Sequence, residues 1–411
     1  MSGQAATQEL SGSALLRRSF RKSFPPAVHG EGAYLWDAQG KQYLDFSGSA
    51  AMNFVGHGVS EIVAAMTAQA RPLAFVNSRF TTSVAEQYAQ ELLSFAGENF
   101  AGGAVYFCSS GPEALESAGK LARQYQREIG QARRSRMLTI RNQDSRPPHV
   151  ESAGKIEALA EPESGVAAVV VEPGSEAALG SEGSAKNHFE EIARLCRERD
   201  VLLIDNEAVS GIGRTGRNFA VDHWGIAPDI VATGKGLSSG YAPLGAVILS
   251  KKVVAAVSSG SGFFMHGFTY SSHPISLAAG RAVLKYVLQH NLIESSDSAR
   301  DGTIAHELKE RLTPLRNLSF VSRVCGVGLL WRVEFAGDSS KAAFRMHDNF
   351  SSKVAQAAVQ RGLLVYAMEN GTGGEYGDHI LIAPPAVISS YQVSWACEQL
   401  GAAIQQASAQ A

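Results

Sequence analysis

Short apolar runs and amphipathic segments alternate through the middle of the chain. Runs of strand type are bounded by glycine, proline or charged residues, and they cover residues 104–108, 137–140, 166–171, 201–204, 230–232 and 244–249. Apolar residues recur at helical spacing in residues 83–96, after Pro112 and in residues 186–199. Strands that alternate with helices predict βαβ units and a largely parallel sheet.

The two ends of the chain have a different pattern. Residues 31–46 alternate as a β-hairpin, with its turn at residues 37–40. After Tyr270 a helix is predicted at 274–288, followed by strands at 319–324, 328–335 and 380–382 and a last helix at 387–407. This order predicts an α+β unit. Residues 1–12 are small and polar, and we expect them to be disordered.

The composition is that of an ordinary globular protein. The 411 residues suffice for a large and a small domain, and the net charge of −2 gives no sign of a nucleic-acid or membrane partner. No apolar run reaches the roughly 18 residues of a membrane span. Four scattered cysteines argue against a disulfide framework or a zinc site, so we assign no metal ligands. The basic stretch at residues 17–22 resembles a transit peptide. Because it runs directly into a predicted strand, we instead expect the protein to be located in the cytoplasm.

Lys235 stands between two glycines just after the apolar run 230–232. At the end of a buried strand a lysine is partly removed from water. Desolvation lowers its pKa and makes the amine a nucleophile toward a carbonyl. For an isolated Gly-Lys-Gly the alternative is a solvated surface lysine. The residues around Lys235 decide between these interpretations.

Those residues form a long series of short motifs. In order they are Asn206-Glu207-Ala208, residues 210–216 (SGIGRTG), Pro228-Asp229-Ile230, Lys235-Gly236 and residues 240–246 (GYAPLGA). The series resembles the class III (omega) aminotransferases, which are pyridoxal 5'-phosphate (PLP) enzymes of fold type I. The resemblance implies an α/β fold, with a mostly parallel sheet flanked by helices in a large domain and a small α+β domain built from both chain ends. It also implies that Lys235 forms the Schiff base with PLP.

The resemblance further implies the domain boundaries and the cofactor contacts. After the tail at 1–12, it assigns residues 13–52 and 291–411 to the small domain and 53–290 to the large PLP-binding domain. Ser110 and Gly111, between a strand and a helix, are the implied phosphate contacts. Thr269 matches a threonine that donates to the phosphate of the neighbouring subunit's cofactor, which implies a homodimer with shared sites. Asn206 and Ala208 occupy the positions of the ring-nitrogen partner and of the residue on one ring face.

Three departures from the family pattern bear on activity. Pro112 lacks the hydroxyl and the N–H of the residue that the family has there. Asn206 replaces an aspartate and carries no charge; Asp205 is adjacent, but on a strand it points to the opposite face unless a bulge brings it round. Between the helix after Pro112 and Val166 the chain is several tens of residues shorter, and we find no Tyr-His-Gly motif to stack on the cofactor.

Substrate contacts are the least specified by the sequence. Arg79 and Phe80 resemble a stretch that lines the partner subunit's pocket; Arg79 is either a carboxylate ligand or a member of an ordinary surface salt bridge. Many relatives carry an arginine just before Pro384-Pro385, and its absence here resembles the amine:pyruvate-type members. We predict an aminotransferase that moves an amino group from an amine or amino-acid donor to an oxo acid or aldehyde, with Lys235 as the general acid and base. The alternative is a degenerate homologue with altered PLP chemistry or none, acting as a dimeric binding protein.

Overall fold

The structure is a computed structural model. It describes residues 14–16, 25–139, 151–152, 165–173, 182–336, 349–368 and 378–410. The predicted tail at 1–12 lies outside these residues. None of the helices in the described part of the chain has the length and apolarity that a bilayer crossing requires.

The strands within the described residues form three sheets. In chain order they are β1 Ala27–Glu31, β2 Tyr34–Asp37, β3 Gln42–Asp45, β4 Ala104–Cys108, β5 Arg136–Thr139, β6 Glu151–Ser152, β7 Val166–Val171, β8 Leu202–Glu207, β9 Ile230–Thr233, β10 Gly245–Leu249, β11 Val321–Val327, β12 Leu330–Phe335, β13 Leu363–Leu364, β14 Tyr366–Met368 and β15 His379–Ile382.

The helices of the same residues surround these sheets. In chain order they are α1 Ser60–Ala70, α2 Ser83–Ala96, α3 Gly111–Glu128, α4 Glu182–Arg199, α5 Lys251–Ser259, α6 Pro274–Gln289, α7 Leu292–Ser295, α8 Ile304–Leu312, α9 Phe350–Gln360 and α10 Ser390–Ser408.

The largest sheet has seven strands in the order β4-β10-β9-β8-β7-β5-β6. Strand β10 is antiparallel to both of its neighbours, while β9, β8, β7, β5 and β6 pair in parallel. The mostly parallel sheet predicted from the alternating pattern is therefore confirmed. Because all strands but β10 run in one direction, the carboxyl ends of β4, β7, β8 and β9 meet at the same edge, where α/β folds bind their ligands.

Helices cover both faces of this sheet. On one face, α3 packs Ala118, Leu121 and Ala122 against Ile204 and Ala232. On the other face, α2 and α6 pack over β10, and α4 packs over β7 and β8. Every residue of β7, β9 and β10 is buried, as expected of central strands covered on both sides.

The two ends of the chain meet in the smaller sheets. Leu44 of β3 pairs in parallel with Leu363 of β13, in a sheet of order β1-β2-β3-β13. A third sheet has the order β11-β12-β15-β14. One core contains Leu44 and Phe46 from the first segment together with Phe350 and Leu400 from the last. The predicted hairpin is confirmed, and both chain ends contribute to α+β structure; the exact boundaries at 12, 52 and 290 stay predictions.

A left-handed turn follows β3. Gly48, Ser49, Ala50 and Ala51 have consecutive φ values of 53, 51, 65 and 61°. Each non-glycine residue in this conformation costs on the order of 1–2 kcal/mol. At Gly48 a Cβ would lie 2.3 Å from the carbonyl oxygen of Ala383, so that position admits only glycine. The turn brings the carbonyl of Ala50 to the edge where the parallel strands end.

Candidate active site

Three parallel strands end side by side at this edge, and a polar side chain lies at or just beyond the end of each. Strand β8 pairs Asn206 with Ala232 of β9, and β7 pairs Val171 with Asp205 of β8. Glu172 follows β7 directly, and Lys235 lies two residues beyond β9. Glu172, Asn206 and Lys235 are each only partly exposed. We refer to the partly exposed region at these strand ends as the cleft.

Lys235 is held in an unusual conformation at the end of β9. Its φ is +40°, in the left-handed region, and it begins a single turn of 3₁₀ helix. Its Nζ donates to the carbonyl oxygen of Ala50 at 2.9 Å. Burial, and to a smaller extent the positive charge of Arg214, lower the pKa of this amine from 10.5 to about 8. A surface lysine would have neither the burial nor the shift.

Arg214 joins the segments around the lysine. Its fully buried guanidinium donates to the carbonyl oxygens of Asn53 at 2.9 Å and Ala383 at 2.9 Å, and it lies 4.9 Å from the centre of the Phe54 ring. A buried charge of this kind is tolerated because its donors are satisfied by carbonyl dipoles. Arg214 therefore fixes the left-handed turn and the loop after β15 against the strand ends.

The amino terminus of α3 forms the next part of the edge. Ser110 caps the helix, since its hydroxyl accepts from the backbone N–H of Glu113 at 3.3 Å. The Glu113 carboxylate accepts from the N–H of Ser109 at 2.7 Å. The unpaired N–H groups and the dipole of a long helix suit a phosphate at this end. Pro112, in the first turn, contributes no N–H to such a site.

Glycines allow the backbone segments of the edge to touch. A Cβ at Gly111 would lie 2.9 Å from the Cβ of Ala208, and a Cβ at Gly234 would lie 2.9 Å from the nitrogen of Gly111. A Cβ at Gly245 would lie 2.2 Å from the carbonyl oxygen of Ser110. The start of α3, the end of β8 and the end of β9 are therefore in direct contact, which brings Ser110, Gly111, Ala208 and Lys235 together.

Asp205 points away from this cleft. Strand β8 pairs in continuous register with β7 and β9, so no bulge turns the residue round. Asp205 is fully buried beside Glu207, and neither of its carboxylate oxygens accepts a hydrogen bond from a described residue. Burial, and then the charge of Glu207, raise the pKa of Asp205 well above its ordinary value. The missing aspartate at position 206 is not replaced by its neighbour.

Three further residues named from the sequence lie on the surface, apart from this edge. Thr269, Arg79 and Phe80 are all exposed in the single chain. Their two loops are neighbours, since the rings of Phe75 and Tyr270 are 6.0 Å apart. The stretch where a Tyr-His-Gly motif would stand, residues 140–164, lies outside the described residues apart from β6, so the loss of a stacking ring stays a prediction.

The groups at the edge fit PLP. The amine has a lowered pKa, a helix terminus offers N–H groups to a phosphate, and Asn206 offers an amide to a ring nitrogen. The sequence had not pointed to two parts of the arrangement, the Ala50 carbonyl and the Glu172 carboxylate. The apolar run that ends in Glu172-Pro173 was the only signal for the second.

Comparison with known proteins agrees with this geometry. The family model of the class III aminotransferases matches residues 18–145 and 141–404. This chain belongs to the class III aminotransferase family. It is an aminotransferase, and the alternative of a degenerate homologue with altered PLP chemistry or none gains no support from the relatives described below. The sequence motifs around Lys235 had implied the same family.

Relatives in both sequence and structure cover nearly the whole aminotransferase. An uncharacterized aminotransferase of Bacillus subtilis, YodT, is 32% identical over 92% of this chain and 94% of its own. A succinylornithine transaminase of Yersinia pseudotuberculosis is 30% identical, over 96% and 97%. An amine transaminase from an uncultivated Pseudomonas species, in its PLP-bound internal aldimine form, superposes with a TM-score of 0.83 at 26% identity, over 96% and 97%. A transaminase from the marine bacterium Virgibacillus superposes with a TM-score of 0.85 at 25% identity, over 98% of each chain. These structures confirm the type I α/β fold.

Proposed function

We propose that this aminotransferase holds PLP through Lys235 and moves an amino group from an amine or amino-acid donor to an oxo acid or aldehyde. The observation that carries the proposal is the amine of Lys235, which has a pKa of about 8 and lies at the strand edge with Asn206. An amine attacks a carbonyl only in its neutral form. Near pH 8 a substantial fraction of this lysine is neutral, whereas an ordinary lysine is almost fully protonated.

Each residue of the edge then has a role. PLP, when bound, supplies an aldehyde and an electron-accepting ring. Ser110 and Gly111 would hold its phosphate at the start of α3, Asn206 would contact the ring nitrogen, and Ala208 would pack on one ring face. As a free amine, Lys235 would take the proton from the reacting carbon and return it. The carbonyl of Ala50, now its hydrogen-bond acceptor, holds the free amine in place between these steps.

We also propose a homodimer in which Thr269 completes the partner's phosphate site. The loops that carry Thr269, Arg79 and Phe80 expose an unusual number of apolar side chains: Leu73, Phe75, Phe80, Phe263, Met265 and Tyr270. An apolar surface of this kind is typical of a subunit interface. With the interface formed, Arg79 and Phe80 line the pocket of the other subunit. We place this dimer in the cytoplasm.

The donor that fits best is an amine without an α-carboxylate. No arginine stands in Ile380–Ala383, just before the two prolines. Leu381 packs against Ala51, one residue from the Ala50 carbonyl that accepts from Lys235. This wall of the cleft is apolar, so it offers a carboxylate no counter-charge there. Arg79 of the partner remains as the candidate contact for the carboxylate of an oxo-acid acceptor.

A two-stage spectroscopic experiment tests the proposal. Purified protein is loaded with PLP, and the visible absorption of the covalent adduct is recorded. A panel of amines and amino acids is then added without an acceptor, and conversion of the cofactor to its amine form is followed. We expect the band in the wild type, its loss in Lys235→Ala, and its retention in Lys285→Ala, which removes an exposed lysine of α6. A wild type without the band, or with a band that no donor changes, contradicts the proposal.

A further inference from the structure

Glu172 and Asn206 are neighbours at the ends of two adjacent strands. Strands β7 and β8 pair Val170 with Ile204 and Val171 with Asp205. The next step of this parallel register brings Glu172 beside Asn206. Both belong to the face on which Val170 and Ile204 pack against α3, because side chains alternate along a strand. The Nδ2 of Asn206 donates a hydrogen bond to the Oε1 of Glu172.

This contact fixes the orientation of the Asn206 amide. The amide nitrogen faces Glu172, which is the orientation that an ionised carboxylate requires, because such a group only accepts hydrogen bonds. The amide oxygen then lies on the other side, where the N–H of Ala208 donates to it at 3.3 Å. Ala208 is the residue proposed to lie under the cofactor ring. An oxygen on this side suits a ring nitrogen that carries a proton, because only a protonated nitrogen has a hydrogen to donate.

We propose that Glu172 is the anionic partner of the cofactor's ring nitrogen and that it acts through the Asn206 amide. The inference rests on the proposed function, since it requires PLP in this cleft. A hydrogen bond to a charged acceptor is stronger than one between neutral groups, and it polarises the amide, which makes the amide oxygen a better acceptor. The negative charge lost at position 206 is thereby supplied from the adjacent strand, and Glu172 is a positioning residue.

The other carboxylates near β8 do not fill this role. Asp205 and Glu207 are fully buried on the opposite face of the sheet. The Glu207 carboxylate accepts from the backbone N–H of Val221 at 2.9 Å and from the hydroxyl of Ser210, so it is oriented away from the cleft. Glu172 is partly exposed at the edge itself and touches the side chain that faces the cofactor.

The test measures the protonation state of the ring nitrogen directly. PLP labelled with ¹⁵N in the ring is bound to wild type, to Glu172→Gln and to the exchanged pair Glu172→Gln/Asn206→Asp. We expect the ¹⁵N resonance of a protonated ring in the wild type and that of a neutral ring in Glu172→Gln at the same pH. The exchanged pair puts the carboxylate directly at the ring and should restore the protonated resonance. Affinity for PLP should fall about tenfold in Glu172→Gln if the charge contributes one pKa unit of interaction.

Two controls separate a charge effect from a structural one. Glu198→Gln neutralises an exposed glutamate of α4 that pairs with Arg194, and it should leave the ¹⁵N resonance unchanged. The second control uses a PLP analogue that has carbon in place of the ring nitrogen, so its ring has no nitrogen that could be protonated. Wild type and Glu172→Gln should therefore bind that analogue equally well, whereas a damaged cleft would bind it less well.

Each remaining outcome overturns the inference. A neutral ring nitrogen in the wild type shows that Asn206 donates rather than accepts. A ring that stays protonated in Glu172→Gln shows that the charge of Glu172 is not needed. Equal weakening for PLP and for the analogue assigns Glu172 a structural role only. A wild type that binds no PLP covalently overturns the proposed function, and this inference falls with it; the absorption band reports that case before any resonance is measured.

Discussion

The two faces of strand β8 place neighbouring residues in opposite environments. Asn206 and Ala208 face the cleft and are partly exposed. Asp205 and Glu207 face the packed side and are fully buried. The same six-residue strand thus carries a neutral amide where a coenzyme is expected and two acids where no solvent reaches.

The comparison shows why a carboxylate displaced by one residue is not equivalent on a strand. Side chains alternate strictly along a strand, and β8 is paired on both sides in continuous register. The side chain of Asp205 therefore cannot face the cleft. On the packed side, burial and the nearby Glu207 raise the pKa of the same carboxyl well above its ordinary value, which favours its protonated form. A protonated Asp205 can donate to Glu207, and its role there is one of stability.

Removing the amide on the cleft side should have the largest effect on turnover. Asn206→Ala deletes the group proposed to contact the ring nitrogen and leaves Glu172 without that donor. A hydrogen bond to a charged group contributes about 1.5–3 kcal/mol, so kcat/KM for an amine donor should fall roughly 10- to 100-fold. Steady-state kinetics at saturating PLP measure the change. An unchanged kcat/KM would show that Asn206 does not contact the cofactor.

The matched change on the packed side, Asp205→Asn, should alter the free energy of unfolding without affecting the binding of PLP. The folded-state pKa values of Asp205 and Glu207 are raised above their ordinary values. These two carboxyls therefore bind more protons in the folded protein than in the unfolded chain, and their contribution to the free energy of unfolding falls as the pH rises above about 4. Asp205→Asn keeps a donor for Glu207 but cannot ionise. Above neutral pH we expect it to be more stable than wild type by roughly 1–3 kcal/mol, with the difference vanishing toward pH 4.

Urea unfolding of both proteins across this pH range checks that prediction. The visible band of bound PLP serves as the internal control and should be the same in both. A difference in stability between Asp205→Asn and wild type that does not grow with pH would mean that folding does not raise the pKa of Asp205. A band lost in Asp205→Asn would mean that the two faces of β8 are not independent.

The smallest expected change concerns the start of α3. Pro112→Thr restores a backbone N–H and a hydroxyl at the end of the helix where the phosphate is proposed to lie. One net hydrogen bond contributes about 0.5–1.5 kcal/mol, so the dissociation constant for PLP should fall roughly 2- to 12-fold. Equilibrium dialysis of the apoprotein gives this constant. A weaker complex would show that the proline shapes the turn in a way that threonine cannot.

The sequence predicted local features of the site better than contacts between segments. The capped start of α3, the buried run before Lys235 and the opposite directions of Asp205 and Asn206 all follow from short-range pattern. The apolar run that marks β8 ends at residue 204, where polar residues begin, yet the strand continues to Glu207 because β9 pairs with it that far.

The contacts that the sequence did not reveal depend on register or on backbone strain. Glu172 and Asn206 are 34 residues apart, and only the pairing of β7 with β8 brings them together. The Ala50 carbonyl reaches Lys235 through a run of positive φ values at Ser49, Ala50 and Ala51, which are residues that seldom adopt them. Neither feature leaves a pattern along a single stretch of chain.

The covalent attachment point of the cofactor tests the account most directly. PLP-loaded protein is reduced with borohydride, digested and mapped by mass spectrometry. Because the amine of Lys235 combines a pKa of about 8 with a position at the strand edge, we predict the pyridoxyl group on Lys235 alone, at close to one per chain. A label spread over exposed lysines such as Lys251 and Lys285, or an unmodified Lys235, would contradict the account.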